Sequence, residues 1–299
     1  MTLQLEKVTK IFGNFTAVDG LSLMIPEGEI FGFLGANGAG KTTTFRMILG
    51  LLEPTSGQIT WNRQTINYST SPYIGYLPEE RGLYPKMKVK DQVVYLARLR
   101  GMDKDQAGKE VDRWLERFQI PQYKNKKIEE LSKGNQQKIQ FITAVVHQPK
   151  LLILDEPFSG LDPVNVEQLK QAVLEIKEQG TTIVFSSHRM EHVEELCEHL
   201  CIMQKGVPVV HGGLREIKRS FGKKNVTISA DFDLSFLQEC AGVLKYKKTT
   251  EGMTLQVEGE EVAQTLFKEL HGKGFVRKFE LEEPSLNDIF IEKVGASYE

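Results

Sequence analysis

The run GANGAGKT, residues 35–42, is where residue type and spacing most plainly suit a chemical task. It has the form G-x-x-x-x-G-K-[ST], in which small residues let successive backbone N–H groups curl around phosphate oxygens. Gly35 opens the loop, and Asn37, Gly38, Ala39 and Gly40 carry it round. Lys41 supplies a cation for the outer phosphates, and Thr42 offers a hydroxyl to Mg2+. Thr43 follows in the first turn of the next helix, whose positive end faces the anion.

Three further runs carry polar groups at the ends of elements. LLILDEP, residues 151–157, buries a short apolar strand and delivers Asp155 and Glu156 to its exposed end. Asp155 suits a Mg2+ ligand, and Glu156 suits a general base or a group that orients water. In LSKGNQQK, residues 131–138, Ser132 reads as an N-cap, with Lys133, Gly134 and Asn135 starting the helix behind it; such a start is an anion site or simply a capped helix. His188 ends the strand TTIVFSSH, where it either contacts a terminal phosphate or is structural. Phe12 either stacks on a base or fills a turn.

These residues need a scaffold that brings strand ends together. IFGFLG, KLLILDEP and TTIVFSSH read as buried strands with helical segments between them, which predicts an α/β fold on a parallel sheet. LQLEKVTKIF, FTAVDGLSLMI and GQITWNRQTI read as further strands, and the segment from about 85 to 148 reads as a helical subdomain. MEHVEELCEHLCIM reads as a helix entering a buried strand. Its His192, Cys197, His199 and Cys201 match no zinc spacing. Past residue 220 the pattern becomes β-α-β-β-α-β, a small ferredoxin-like α+β domain. The expected division is therefore 1–220 and 225–299.

The 299 residues are 40% hydrophobic and 26% charged, with a net charge of -2. That balance suits a folded domain with a core and gives no basic field for nucleic acid or anionic lipid. Three cysteines are too few for a disulfide framework, which favours a reducing compartment. No apolar run of about 18 residues and no secretory core is present, so any membrane role is expected to come through a partner.

In this order the motifs resemble the ATP-binding subunits of ABC transporters, over about residues 2–220. The resemblance implies a P-loop NTPase of ABC type with a helical subdomain, and ATP and Mg2+ as its ligands. It implies a head-to-tail dimer, homomeric or heteromeric. Each ATP would lie between one phosphate loop and the partner's Ser132–Asn135 helix start, with Asp162 of SGLDP also acting in trans. It further implies hydrolysis by Glu156, a γ-phosphate switch at His188, Phe12 on adenine, separate transmembrane subunits, and a place at the cytoplasmic face of the cell membrane.

Two departures stand out. The usual Leu-Ser-Gly-Gly-Gln has Lys133 and Asn135 here, while Ser132 and Gly134 are kept. The Gln that usually follows Leu-Pro is Glu79, a second carboxylate expected near Mg2+, with Glu80 and Arg81 expected to face the helical subdomain or a partner. The YIGYLPEERGLYP segment and the C-terminal EPSLNDIFIEKVG are similar to the ABC-2-type exporter ATPases of the sodium-extrusion and drug-resistance group. Competing readings are a soluble ABC ATPase of ribosome or DNA, which the single cassette and short helical insert disfavour, and a non-hydrolysing ATP-binding module, which Glu156 and His188 disfavour.

Overall fold

The computed structural model describes residues 2–80 and 82–295, in two compact units that divide between His211 and Gly212. That division lies ahead of residues 220–225 because the helix at 214–220 is grouped with the second unit.

The first unit opens with β1 (Leu3–Phe12) and β2 (Phe15–Ile25), an antiparallel pair. β3 (Ile30–Leu34) follows, then the glycine-rich loop and α1 (Lys41–Ile48). β4 (Ser56–Trp61) and β5 (Gln64–Thr65) complete a four-stranded sheet of order β2-β1-β4-β5. β6 (Ile74–Leu77) leads into the helical segment: α2 (Val89–Leu99), α3 (Lys104–Arg117) and α4 (Lys133–Val145). The chain continues through β7 (Leu151–Leu154), α5 (Pro163–Glu178), β8 (Thr182–Ser187), α6 (Met190–Leu196), β9 (His199–Gln204) and β10 (Val207–Gly213).

The second sheet has the order β10-β9-β3-β8-β7-β6. β9, β3, β8, β7 and β6 run parallel, so their C-terminal ends lie along one edge. Every residue of β3, β7 and β8 is buried, as expected of parallel strands covered on both faces. β2 instead buries Leu21, Leu23 and Ile25 in alternation, with exposed Ser22 and Met24 between them.

The helical segment has its own aromatic centre. Trp114 stacks on Phe118 at 5.8 Å, and Phe141 of α4 meets both rings edge-on at 5.9 Å. Arg117 at the end of α3 donates from Nε to Glu175 of α5 at 2.8 Å, tying the segment to the sheet's covering helix.

Gly75 of β6 lies directly beneath α4. A Cβ there would run into the Ala144 carbonyl oxygen and stand 2.9 Å from Leu152 Cδ1, one of them rigid backbone. Gly75→Ala is therefore expected to lower stability by about 1–3 kcal/mol, through overpacking alone. Denaturant titration checks this; an unchanged midpoint would mean that α4 shifts freely from β6.

The second unit contains α7 (Leu214–Ser220), β11 (Lys224–Ala230), β12 (Val243–Lys248), β13 (Met253–Val257), α8 (Glu260–Glu269), β14 (Val276–Glu282) and α9 (Leu286–Val294). Its antiparallel sheet has the order β12-β13-β11-β14, which is the ferredoxin-like order. The first expected helix is only a 3-10 turn, Ser235–Glu239, because little chain separates β11 from β12. Leu234 and Leu237 still plug the core formed by Val226, Ile228, Leu255, Val257 and Leu266.

Candidate active site

The edge formed by the ends of β3, β8, β7 and β6 carries the polar motifs. Gly35 leaves β3 at φ 152, and Gly40 enters α1 at φ 103, both outside the range comfortable for a side chain. A Cβ at Gly35 would stand 2.5 Å from the Met203 carbonyl oxygen, and one at Gly40 2.5 Å from that of Ala17. The loop is thus compressed between β9 and β2.

Lys41 is buried, and its Nζ donates to the Gly35 carbonyl at 2.6 Å and the Ala36 carbonyl at 3.3 Å. Burial pulls its pKa down, while Glu156, Asp155 and Glu79 oppose the shift. An ammonium desolvated in this way gains strongly from any anion that reaches it.

Asp155 is anchored by its N–H, which donates to the Leu77 carbonyl at 2.8 Å. Its carboxylate accepts from Thr42 Oγ1 at 2.9 Å and from Ser186 Oγ at 2.6 Å. Glu156 follows in the left-handed region at φ 49, where its N–H donates to Ser186 Oγ at 2.9 Å. Its Oε2 lies 2.9 Å from His188 Nδ1. Burial raises the Glu156 pKa above the usual carboxylate range, against the lowering influence of His188 and Lys41. A buried, partly desolvated carboxylate beside a histidine is suited to take a proton from water.

A cavity of about 290 Å3 joins these groups; its walls include Asn37 to Thr43, Glu79, Asp155 and Glu156. Glu79 is exposed at that wall, and its charge acts on both Lys41 and Tyr76, whose hydroxyl burial pushes up to about 12. Gln140 of α4 holds the backbone around Glu79, donating to the Pro78 carbonyl at 2.8 Å and the Glu80 carbonyl at 3.2 Å. Arg81 lies outside the described residues.

The remaining residues that the motifs single out fall elsewhere. Phe12 is not in the cavity wall; Phe15, directly opposite it in the β1–β2 pairing, is, together with Ala17. Lys10 Nζ sits 5.2 Å over the Phe12 ring instead. Ser132 caps α4 by accepting from Asn135 N–H at 3.3 Å, and Asp162 caps α5 by accepting from Asn165 N–H at 3.0 Å. These caps adjoin: a Cβ on Gly134 would stand 2.8 Å from Asn165 Nδ2. Ser132, Lys133, Gly134, Asn135 and Asp162 form a second surface that does not line the cavity of their own chain. His192 packs edge-on to Phe158, and His199 pairs with Glu29 at 2.7 Å.

Sequence reasoning missed Ser186, which links Asp155 to the Glu156 backbone. The only hint was a polar pair closing an otherwise apolar strand. It also missed Phe15, which looks like any other strand aromatic.

The ABC transporter family profile matches residues 18–159, and the profile for the ATP-binding protein DrrA1-3-like C-terminal domain matches residues 212–294. The chain is 69% identical to the uncharacterized ABC transporter ATP-binding protein YhaQ of Bacillus subtilis, over 99% of this chain and 100% of that protein. It is 33% identical to the Nod factor export ATP-binding protein I of Cupriavidus metallidurans, over 98% and 97% of the two chains. A solved ATP-binding subunit of an ABC transporter superposes with a TM-score of 0.70 at 28% identity, covering 74% of this chain and 94% of its own. The matched spans contain the phosphate loop, the Asp155–Glu156 strand end and the C-terminal unit. The chain belongs to the ABC transporter ATP-binding proteins, in the branch with a DrrA-like C-terminal domain whose relatives include ABC-2-type exporter ATPases.

Proposed function

We propose that the protein is the ATP-hydrolysing motor of a membrane exporter. It works as a head-to-tail pair of nucleotide-binding subunits beneath separate transmembrane subunits, at the cytoplasmic face of the cell membrane. The supporting observation is the hydrogen-bonded string Thr42–Asp155–Ser186–Glu156–His188, which brings Thr42, Asp155 and Glu156 to the cavity wall beside buried Lys41. That the Cupriavidus relative is a Nod factor export ATP-binding protein supports the direction of transport.

The loop N–H groups and Lys41 bind the β- and γ-phosphates. A hydroxyl and a carboxylate 2.9 Å apart at the cavity wall fit Mg2+, so Thr42 and Asp155 would hold it. The ion, when bound, neutralises phosphate charge. Glu156 takes the proton of the attacking water as that oxygen bonds to the γ-phosphorus. The bond to the β–γ bridging oxygen breaks, and ADP departs with the electron pair. His188 keeps the Glu156 carboxylate aimed at the water. Ser132, Lys133, Gly134, Asn135 and Asp162 serve the partner's ATP, and an aromatic from the β1–β2 end, Phe12 or Phe15, covers the base.

Glu79 is a second carboxylate close enough to act on Lys41 electrostatically. Glu79→Ala is expected to raise the Mg2+ concentration giving half-maximal ATPase several-fold; an unmoved Mg2+ titration would remove Glu79 from the metal's surroundings.

The function itself is tested by extracting the host membranes in mild detergent and isolating the tagged chain. An integral membrane protein is expected to accompany it and to alter its Mg2+-dependent ATPase. Full, unmodulated activity in a chain that carries no membrane protein would count decisively against the motor reading.

A further inference from the structure

Among the described residues the sheet of the C-terminal unit has two open edges, β12 and β14. An open edge offers unpaired N–H and C=O groups to another strand, and proteins commonly blunt it with charges of one sign. β12 is blunted in this way: Lys245, Lys247 and Lys248 make it basic along its length, so a second β12 would be repelled. β14 is built differently. Its sequence VRKFELE places Arg277 and Lys278 toward one end and Glu280 and Glu282 toward the other.

This order is self-complementary under a two-fold axis. Antiparallel pairing of β14 with β14 of a second copy sets each basic half against the other's acidic half. Pairing centred on Phe279 places Lys278 of each copy opposite Glu280 of the other. Within one chain Lys278 Nζ lies 2.5 Å from Glu280 Oε2, so pairing exchanges the two contacts along the strands, one in each copy, for two between strands. Apolar surface flanks the same edge. Phe275 is 67% exposed, Phe267 59% and Leu281 41%, and Phe267 meets Phe279 edge-on at 5.0 Å. A groove of about 690 Å3 beside β14 is lined by these phenylalanines with Lys268, Arg277 and Lys278 on its rim.

We propose that β14 is a self-association edge through which two copies of this chain join their C-terminal sheets into one continuous antiparallel sheet, without nucleotide. The proposal goes beyond the motor reading and does not rest on it. It assigns the C-terminal unit a partner, a second copy of this chain.

The test uses the full chain, free of nucleotide and with a chelator present, in sedimentation velocity over a range of concentrations. The wild type is expected to show a concentration-dependent monomer–dimer equilibrium. Arg277→Glu with Lys278→Glu makes the edge wholly acidic, and Glu280→Lys with Glu282→Lys makes it wholly basic. Each double variant alone is expected to associate about tenfold or more weakly, because like charges then face each other. Mixing the two is expected to restore association as a heterodimer, which neither could form if it had failed to fold. A wild type that stays monomeric at every concentration overturns the proposal and leaves β14 to a different strand. So does a mixture that associates no better than its components.

Discussion

Glu156→Gln is expected to lower the ATP turnover rate by about 10²- to 10⁴-fold while leaving ATP affinity close to that of the wild type. The substitution preserves shape and keeps an oxygen or amide within reach of His188 Nδ1, now 2.9 Å from Glu156 Oε2. It removes only the ability to accept a proton from water. Steady-state ATPase together with nucleotide titration separates the two effects; turnover within a factor of two of wild type would place the base elsewhere.

The same residue predicts opposite pH trends for activity and stability. Burial raises the Glu156 pKa, so the folded protein holds this proton more tightly than the unfolded chain does. Its stability contribution is therefore full below the ordinary carboxylate range and is lost as pH rises through the raised folded value. Catalysis needs the carboxylate and is gained over that same interval. The acid limb of kcat is expected above the usual carboxylate pKa and should vanish in Glu156→Gln. That variant, spared a buried charge, is expected to melt no lower than the wild type near neutral pH.

The second large effect concerns binding. Lys41→Ala is expected to weaken ATP affinity by about 10- to 100-fold, the scale of one lost charge-assisted hydrogen bond in a desolvated site. Lys41 is buried with its pKa pulled down, a cost that phosphate charge offsets, so ATP should raise the melting temperature of the wild type. In Lys41→Ala that rise is expected to be smaller at the same ATP concentration. An ATP-dependent shift equal to the wild type's would show that the loop amides bind phosphate without the lysine.

Individual strands and the phosphate loop were legible because their signals are local. LLIL and IFGFL are apolar throughout, and the loop's glycines stand at the positions where φ turns positive. Ser132 was readable as a cap for the same reason: its partner, the Asn135 N–H, is three residues away. The division near 212, the shrinkage of the first C-terminal helix to a 3-10 turn, and the presence of Phe15 rather than Phe12 in the cavity wall were not legible. Each depends on which neighbour wins a contact, and single-segment patterns carry no record of neighbours.

The sequence by itself determined the chemical inventory: a phosphate cradle, a hydroxyl and two carboxylates at strand ends, a histidine one strand on, and a ferredoxin-like appendage. Tertiary structure alone decided how that inventory is wired. The parallel order β3-β8-β7-β6 sets Thr42, Ser186, Asp155 and Glu79 along one edge, though more than a hundred residues separate Thr42 from Asp155. It desolvates Lys41 and Glu156 in opposite pKa directions and leaves the Ser132 and Asp162 caps on a separate surface. It also leaves β14 open while β12 is guarded by lysines. Hydrogen bonds, desolvation and open edges arise only once distant segments are brought together, so no local pattern could have specified them.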